Sequence, residues 1–244
     1  MDIKKILPKT IYSDVPDYYL QVSDVERRLV GKDLKGKTIL NIGCGGYIVS
    51  DVYFTLLGAK VVGIDYDRNA IERAHNKIKN LKNIDIEVKY GDGRKLDFPD
   101  NSFDFTVSFS AIEHMPLYED RLLVIKEMKR VTKKNGFVII IGPNFLNLPT
   151  TLFSHLFFKR IHEYEHRYVP WELKEMMVKN GLEVVSYDAE SVYLVDKALI
   201  ETRFPWLKTI PLFFFYPLHI LLKFLNAKPF KIFGMRMGFK AKKV

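Results

Sequence analysis

Thr38-Ile39-Leu40-Asn41-Ile42-Gly43-Cys44-Gly45-Gly46 decides how the rest of this 244-residue chain is read. The first five residues are an apolar, β-rich run of strand length, and the glycines after them stop it. Glycine lets the backbone turn sharply and lets a ligand approach it closely, because no Cβ intervenes.

The pattern begun there repeats. A helix reaches about Leu57 and is closed by Gly58, and Lys60 to Ile64 is a second strand. Asp67 reads as an N-cap for a helix with Ala70, Ile71, Ala74 and Ile78 on one face. Ile84 to Tyr90 alternates as a third strand and Phe103 to Phe109 is a fourth. A helix with Leu122, Ile125 and Met128 inward ends near Lys133, where Asn135-Gly136 supplies a break. Phe137 to Ile141 is a fifth, fully buried strand. Strands separated by helices imply right-handed crossovers, so the expected fold is α/β: a Rossmann-like, doubly wound, mostly parallel sheet covered on both faces.

Three regions follow. Residues 1–36 form a helical cap, with a helix expected from Tyr18 to Val30. Residues 37–142 are the ligand-binding core. Residues 143–244 hold helical, apolar insertions after strand five and near the C-terminus. They include the aromatic stretch Phe145 to Phe158 and a helix opened by Pro170 and closed by Gly181. A strand over Glu183 to Tyr187, an apolar region from Phe204 to Leu225 and a last strand over Arg236 to Lys242 complete them.

With 48% hydrophobic and 27% charged residues the chain is an ordinary globular protein, which excludes disordered and fibrous classes. One cysteine, Cys44, excludes an internal disulfide and a multi-cysteine zinc site, and suits a reducing cytoplasm. The start runs from Met1 into Pro8 and Asp14 without an apolar segment, so no secretory leader is expected. The net charge of +9 is concentrated between Lys197 and Lys243, where ten Lys and Arg face one acid, Glu201. Such a tail either meets RNA, an anionic lipid surface or an acidic substrate, or is a solvated face.

In an open parallel sheet the ligand lies beyond the carboxyl ends of the strands, where strand order reverses. Four groups fall there: Gly43-x-Gly45-Gly46, Asp65 about twenty residues on, Asp92, and Ser108-Phe109-Ser110 with Glu113-His114. Each alone has a plain structural role as turn, cap or packing residue. Together they point to an adenosine-type ligand. A pyrophosphate turn requires a small residue at the third glycine position, where this chain has Ile48, so a dinucleotide fits poorly.

Thr38 to Gly46 resembles motif I of the class I S-adenosylmethionine-dependent methyltransferases, and Val61-Val62-Gly63-Ile64-Asp65 resembles their second motif. Tyr90-Gly91-Asp92-Gly93, Ser110-Ala111-Ile112-Glu113-His114 and Lys134-Asn135-Gly136-Phe137 continue the likeness over about residues 36 to 142. It implies that S-adenosylmethionine is the cofactor, with Asn41, Gly43, Cys44 and Gly45 bordering its methionine and ribose. Asp65 would hold the ribose hydroxyls and Tyr66 would pack on the adenine. Asp92 and Gly93 would face the adenine amino edge, and Phe109 and Ser110 would line the methionine end. Two departures stand out: Asn41 replaces the family's usual acid, and Gly46-Tyr47 replaces the common x-Gly.

For a hydroxyl acceptor the candidate base is His114, whose alternative role is to shape the pocket floor. His166 to Leu173 is similar to the O-methyltransferase branch that includes ubiquinone-pathway enzymes, which implies a small-molecule or lipid-like acceptor. His162, Glu163, Glu165 and His166 match no metal-ligand spacing, so no metal is expected. The apolar run Ile210 to Leu222 is too short to span a bilayer and carries two prolines. It is either buried or an interfacial element touching anionic membrane beside Lys208 and Lys223. An RNA methyltransferase is the rival on substrate, although no Asn/Asp-Pro-Pro-aromatic motif follows strand four. A cofactor-binding protein without catalysis is the other alternative, motivated by Asn41.

Overall fold

The computed structural model describes residues 7–13, 25–79, 81, 84–147, 164–190 and 230–244. Seven strands form one sheet: β1 (Thr38–Ile42), β2 (Lys60–Asp65), β3 (Ile86–Tyr90), β4 (Phe103–Phe109), β5 (Thr132–Pro143), β6 (Leu182–Ala189) and β7 (Arg236–Lys243). Their order is β3-β2-β1-β4-β5-β7-β6. The first five pair in parallel, while β7 runs antiparallel to both β5 and β6.

Single α-helices join β1 to β2, β2 to β3 and β4 to β5, whereas β3 runs to β4 through residues 91–102 without a helix. Helices α1 (Val49–Leu56) and α2 (Arg68–Ile78) cover one face with the helical residues 25–30, burying Ile39, Val61, Val107, Ile139 and Ile141. On the other face α3 (Tyr118–Val131) and α4 (Pro170–Lys179) bury Leu40, Ile42, Ile64, Val138 and Ile140. The second half of β5, Phe137 to Ile141, therefore reads as an unbroken apolar run, and each fully buried branched side chain contributes about 1.5–3 kcal/mol. Chain order reverses between β1 and β4, which opens a crevice at their carboxyl ends.

The expected α/β architecture, the Asp67 cap and the last strand all appear. Asp67 accepts a hydrogen bond from Asn69 N at 2.8 Å. The fifth strand differs, because it begins at Thr132, directly after α3, and not at Phe137. Asn135, at φ 64°, lies inside the strand where the pairing with β4 shifts register. Asn135-Gly136 is thus a kink that the ladder absorbs, not an interruption. A Cβ on Gly136 would lie 2.8 Å from the Asp104 carbonyl oxygen, so only glycine permits that approach.

Of the expected helix from Tyr18 to Val30, residues 25–30 are helical and 14–24 lie outside the described residues. The same holds for 148–163, with His162 and Glu163, and for the apolar run Ile210 to Leu222. Among the described residues no helix is long and apolar enough to cross a membrane.

Candidate active site

The loop after β1 is shaped by contacts that only bare backbone allows. Gly43 sits at φ 77°, and a Cβ there would lie 2.1 Å from the Ala111 Cβ. Gly45 is also left-handed, at φ 65°. Gly43 N and Cys44 N donate to the Ile64 carbonyl at 2.8 and 3.0 Å, tying the loop to the end of β2. Ile48, in the third glycine position, is left-handed at φ 49° and buried. That conformation is a strained one for a β-branched side chain.

Asp65 ends β2 beside this loop. Its two oxygens accept from Gly45 N and from Asp67 N, each at 2.8 Å. Backbone amides thus hold the carboxylate from both sides, and its remaining lone pairs can accept from vicinal hydroxyls. Tyr66, 68% exposed, stands 5.9 Å from the Tyr90 ring, and Arg68 lies over Tyr90 at 4.0 Å. Asp92 is gripped by Arg94, whose guanidinium donates to it at 2.7 Å and to Asp120 at 3.0 Å. That pairing holds the Asp92 carboxyl below its usual range. Gly93 packs so tightly that a Cβ would meet Ile42 at 2.9 Å.

Burial, with Asp51 and then Asp65 behind it, pushes the Cys44 thiol up, so it stays protonated and is no nucleophile. Phe109 packs against Phe54 at 6.2 Å. Ser110, left-handed at φ 54°, donates its N–H to Ile141 at 2.8 Å. His114 ends a single 3-10 turn, Ile112–His114, and is exposed. Its Nδ1 lies 3.0 Å from the Tyr164 carbonyl oxygen. A carbonyl only accepts, so Nδ1 carries the proton and the neutral ring keeps a lone pair at Nε2.

Two groupings went unnoticed in the sequence, although Asn41, Ser108 and Glu113 are each singled out there. Asn41 Nδ2 donates to both oxygens of Asp51, at 2.9 and 3.1 Å, and both residues are buried. Burial pushes the Asp51 carboxyl up to about 7. An acid among the buried residues Val49, Val52 and Phe54 of α1 was the available signal. The second group is Glu113 with Tyr168 and Ser108. Glu113 is 1% exposed, and burial pushes it up to about 7. Where a Cβ on Gly142 would sit, Tyr168 Cε2 is 3.0 Å away and Glu113 Oε2 is 3.9 Å away, so the two meet over bare backbone. Glu113 Oε2, Tyr168 OH and Ser108 Oγ have no hydrogen-bond partner among the described residues. Ser108 and Glu113 fall within the segment after strand four that the sequence singles out, whereas no local pattern marks Tyr168 as a neighbour of Glu113.

Behind the crevice Arg236 donates to Glu26 at 2.9 Å and to Glu190 at 3.3 Å, and Ser50 Oγ also bonds Glu26. This buried network joins residues 25–30, α1 and β7. Among the described residues no group of three His, Cys, Asp or Glu is placed to hold a metal ion.

Residues 40–140 match the family described as a methyltransferase domain. A demethylmenaquinone methyltransferase of Staphylococcus aureus is 30% identical over 159 residues, which are 58% of this chain and 64% of the relative. The chain thus spans just under two thirds of the curated relatives it matches. Among solved structures, a methyltransferase of Methanosarcina mazei superposes with a TM-score of 0.63 at 18% identity, over 91% of this chain and 97% of that one. The magnesium protoporphyrin IX methyltransferase of Synechocystis, with bound S-adenosylhomocysteine, gives 0.62 at 15% identity, over 93% and 84%. Residues 40–140 thus match the model of a methyltransferase domain, and the chain has the fold of these solved methyltransferases.

Proposed function

We propose that this protein is an S-adenosylmethionine-dependent methyltransferase that acts on a small or lipophilic hydroxyl-bearing acceptor at oxygen. The observation that carries the reading is the left-handed Gly43–Gly45 loop, with the Asp65 carboxylate fastened against it by Gly45 N–H. This arrangement offers bare backbone to a sulfonium-bearing chain and a fixed acceptor to a ribose. When bound, S-adenosylmethionine supplies a methyl group on a positively charged sulfur. The chain's own residues align and enclose the reactants.

Residues 37–142 hold the donor and residues 143–244 face the acceptor. Tyr66 packs on the adenine, Asp92 and Gly93 meet its amino edge, and Phe109 and Ser110 bound the methionine end. These residues would set the acceptor oxygen in line with the methyl group and sulfur that a bound donor would supply, the carbon–sulfur electron pair being left with the departing thioether. The acceptor's hydroxyl proton goes to His114 Nε2, the face left free by the Tyr164 carbonyl. Glu113, Tyr168 and Ser108 supply a polar floor to the acceptor side. The Staphylococcus aureus relative, named for its action on demethylmenaquinone, is compatible with a lipophilic acceptor. The cluster of positive charge between Lys197 and Lys243 supports work in the cytoplasm beside an anionic membrane surface.

A labelled-methyl assay with lipid, small-molecule and RNA extracts tests this. Label in the organic-soluble, ether-linked product is expected. Label confined to RNA would move the assignment to nucleic acid, and cofactor binding without transfer to any pool would leave a binding protein. Co-sedimentation with anionic liposomes at low salt checks the membrane contact, and no pelleting would remove it.

A further inference from the structure

The Asn41–Asp51 pair lies beside the glycine loop, and no cation among the described residues neutralises it. Asn41 turns both amide hydrogens' nitrogen toward the Asp51 carboxylate, which leaves Asn41 Oδ1 facing away from it. That oxygen is buried and has no hydrogen-bond partner among the described residues. Asp51 is 1% exposed, and among the described residues no Lys, Arg or His pairs with it. The Cys44 thiol, at the middle of the loop, feels the charge of both Asp51 and Asp65, so the two carboxylates flank one turn. Asp65 already has its backbone donors. Asp51 accepts from the Asn41 amide and from its own backbone N–H, and beside it stands an amide oxygen with no donor among the described residues.

A group of acceptors with a negative charge and an unfilled oxygen calls for a ligand atom carrying a positive charge and several N–H bonds. A primary ammonium meets both needs. The methyl donor carries one, on its amino-acid arm. We infer that Asp51 together with Asn41 Oδ1 binds the α-ammonium of the donor, with Asn41 also positioning the carboxylate. The inference rests on the proposed donor and adds a residue, Asp51, to its site.

Calorimetry with three ligands separates the possibilities: S-adenosylhomocysteine, its analogue lacking only the amino group, and 5′-methylthioadenosine, which lacks the whole arm. Wild-type protein should prefer S-adenosylhomocysteine to the desamino analogue by about tenfold or more, the usual strength of a charge-assisted hydrogen bond. Asp51→Asn should erase that preference while leaving methylthioadenosine affinity within about twofold. The exchange N41D/D51N, which returns one acid to the pair, should recover most of the preference. Equal affinity of the wild type for S-adenosylhomocysteine and the desamino analogue would overturn the inference while the donor site stands, and needs no variant to fold. An unchanged preference in Asp51→Asn would overturn it as well. If the wild type binds none of the three ligands, the donor reading itself falls and takes this one with it.

Discussion

The two sides of the crevice are built differently. On the β1–β2 side the polar groups are mostly satisfied from within: Asp65 by Gly45 and Asp67 amides, Asp92 by Arg94. On the β4–β5 side Ser108, Glu113 and Tyr168 keep polar atoms buried without a partner among the described residues. A satisfied site is rigid before its ligand arrives, so its cost of ordering falls on folding, not binding. Unsatisfied buried groups each carry a desolvation cost of about 1–3 kcal/mol, which a ligand with matching polar atoms can relieve. The difference teaches that the proposed donor half is set by backbone amides and a paired side chain, whereas the proposed acceptor half is set by side chains whose polar atoms have no partner among the described residues.

The sharpest way to split the halves is His114→Ala. Turnover should fall by about 10²–10⁴-fold while S-adenosylhomocysteine affinity stays within about twofold. Steady-state kinetics beside calorimetry reads both, and an unchanged rate would assign His114 to shaping the pocket floor. Gly43→Ala should do the reverse. A methyl group 2.1 Å from Ala111 Cβ at φ 77° has to displace the loop. Cofactor affinity should drop by about 100-fold, with about 2–3 kcal/mol of stability lost in the same variant, within the range of overpacking and left-handed strain. Removing the clash with Ala111→Gly should recover only part, because the backbone strain remains.

A smaller effect appears in the pH dependence of stability. Burial raises the carboxyls of Asp51, Glu113 and Glu190 to about 7 in the folded protein. Unfolded, they ionise near about 4. Between those values the folded state binds more protons than the unfolded one, so stability falls as pH rises. Their favourable contribution is complete below the unfolded value and is gone once pH passes the folded one. Thermal melts from pH 5 to pH 8 should therefore show a declining Tm. Glu113→Gln should raise Tm at pH 8 by about 3 °C or more and change little at pH 5. A parallel offset at all pH values would mean that Glu113 does not titrate in this window.

How legible all this was depends on whether the physics is local. Thr38 to Gly46 could be read as strand and turn because apolar run and glycine act within nine residues, and Asp67 announced its helix by capping it. The start of β5 was misplaced because Asn135-Gly136 carries turn chemistry that the pairing with β4 overrides. Asp65 could be found because its distance from the loop is set by one βαβ unit. Tyr168, which meets Glu113 over Gly142, could not, because the contact depends on a chain return from β5 to α4 that leaves no periodic mark. Asp51 falls between these cases. It lies among the buried residues Val49, Val52 and Phe54 of α1, yet its partner Asn41 was read as a departure from a family pattern and a border of the cofactor, not as the partner of an acid.

Asp92 gives the smallest effect and the finest test of the contrast. Its carboxylate is partly exposed and accepts from Arg94 through the backbone N–H and the guanidinium, while Arg94 also holds Asp120. Such pairs contribute about 0–1 kcal/mol in solvent, so Asp92→Asn should shift stability by no more than that. The amide keeps one acceptor oxygen but turns an NH₂ group toward a guanidinium that can only donate, so the turn loosens slightly. If Asp92 also receives the adenine amino group, Asp92→Asn should weaken S-adenosylhomocysteine by about three- to tenfold, the worth of a net hydrogen bond, and Arg94→Gln should weaken it less. Equal losses in the two variants would mean that Asp92 serves only the turn and that adenine is held by Tyr66 and the loop. The donor half would then be satisfied by itself throughout, with Asn41 and Asp51 as the one place where it waits for a ligand.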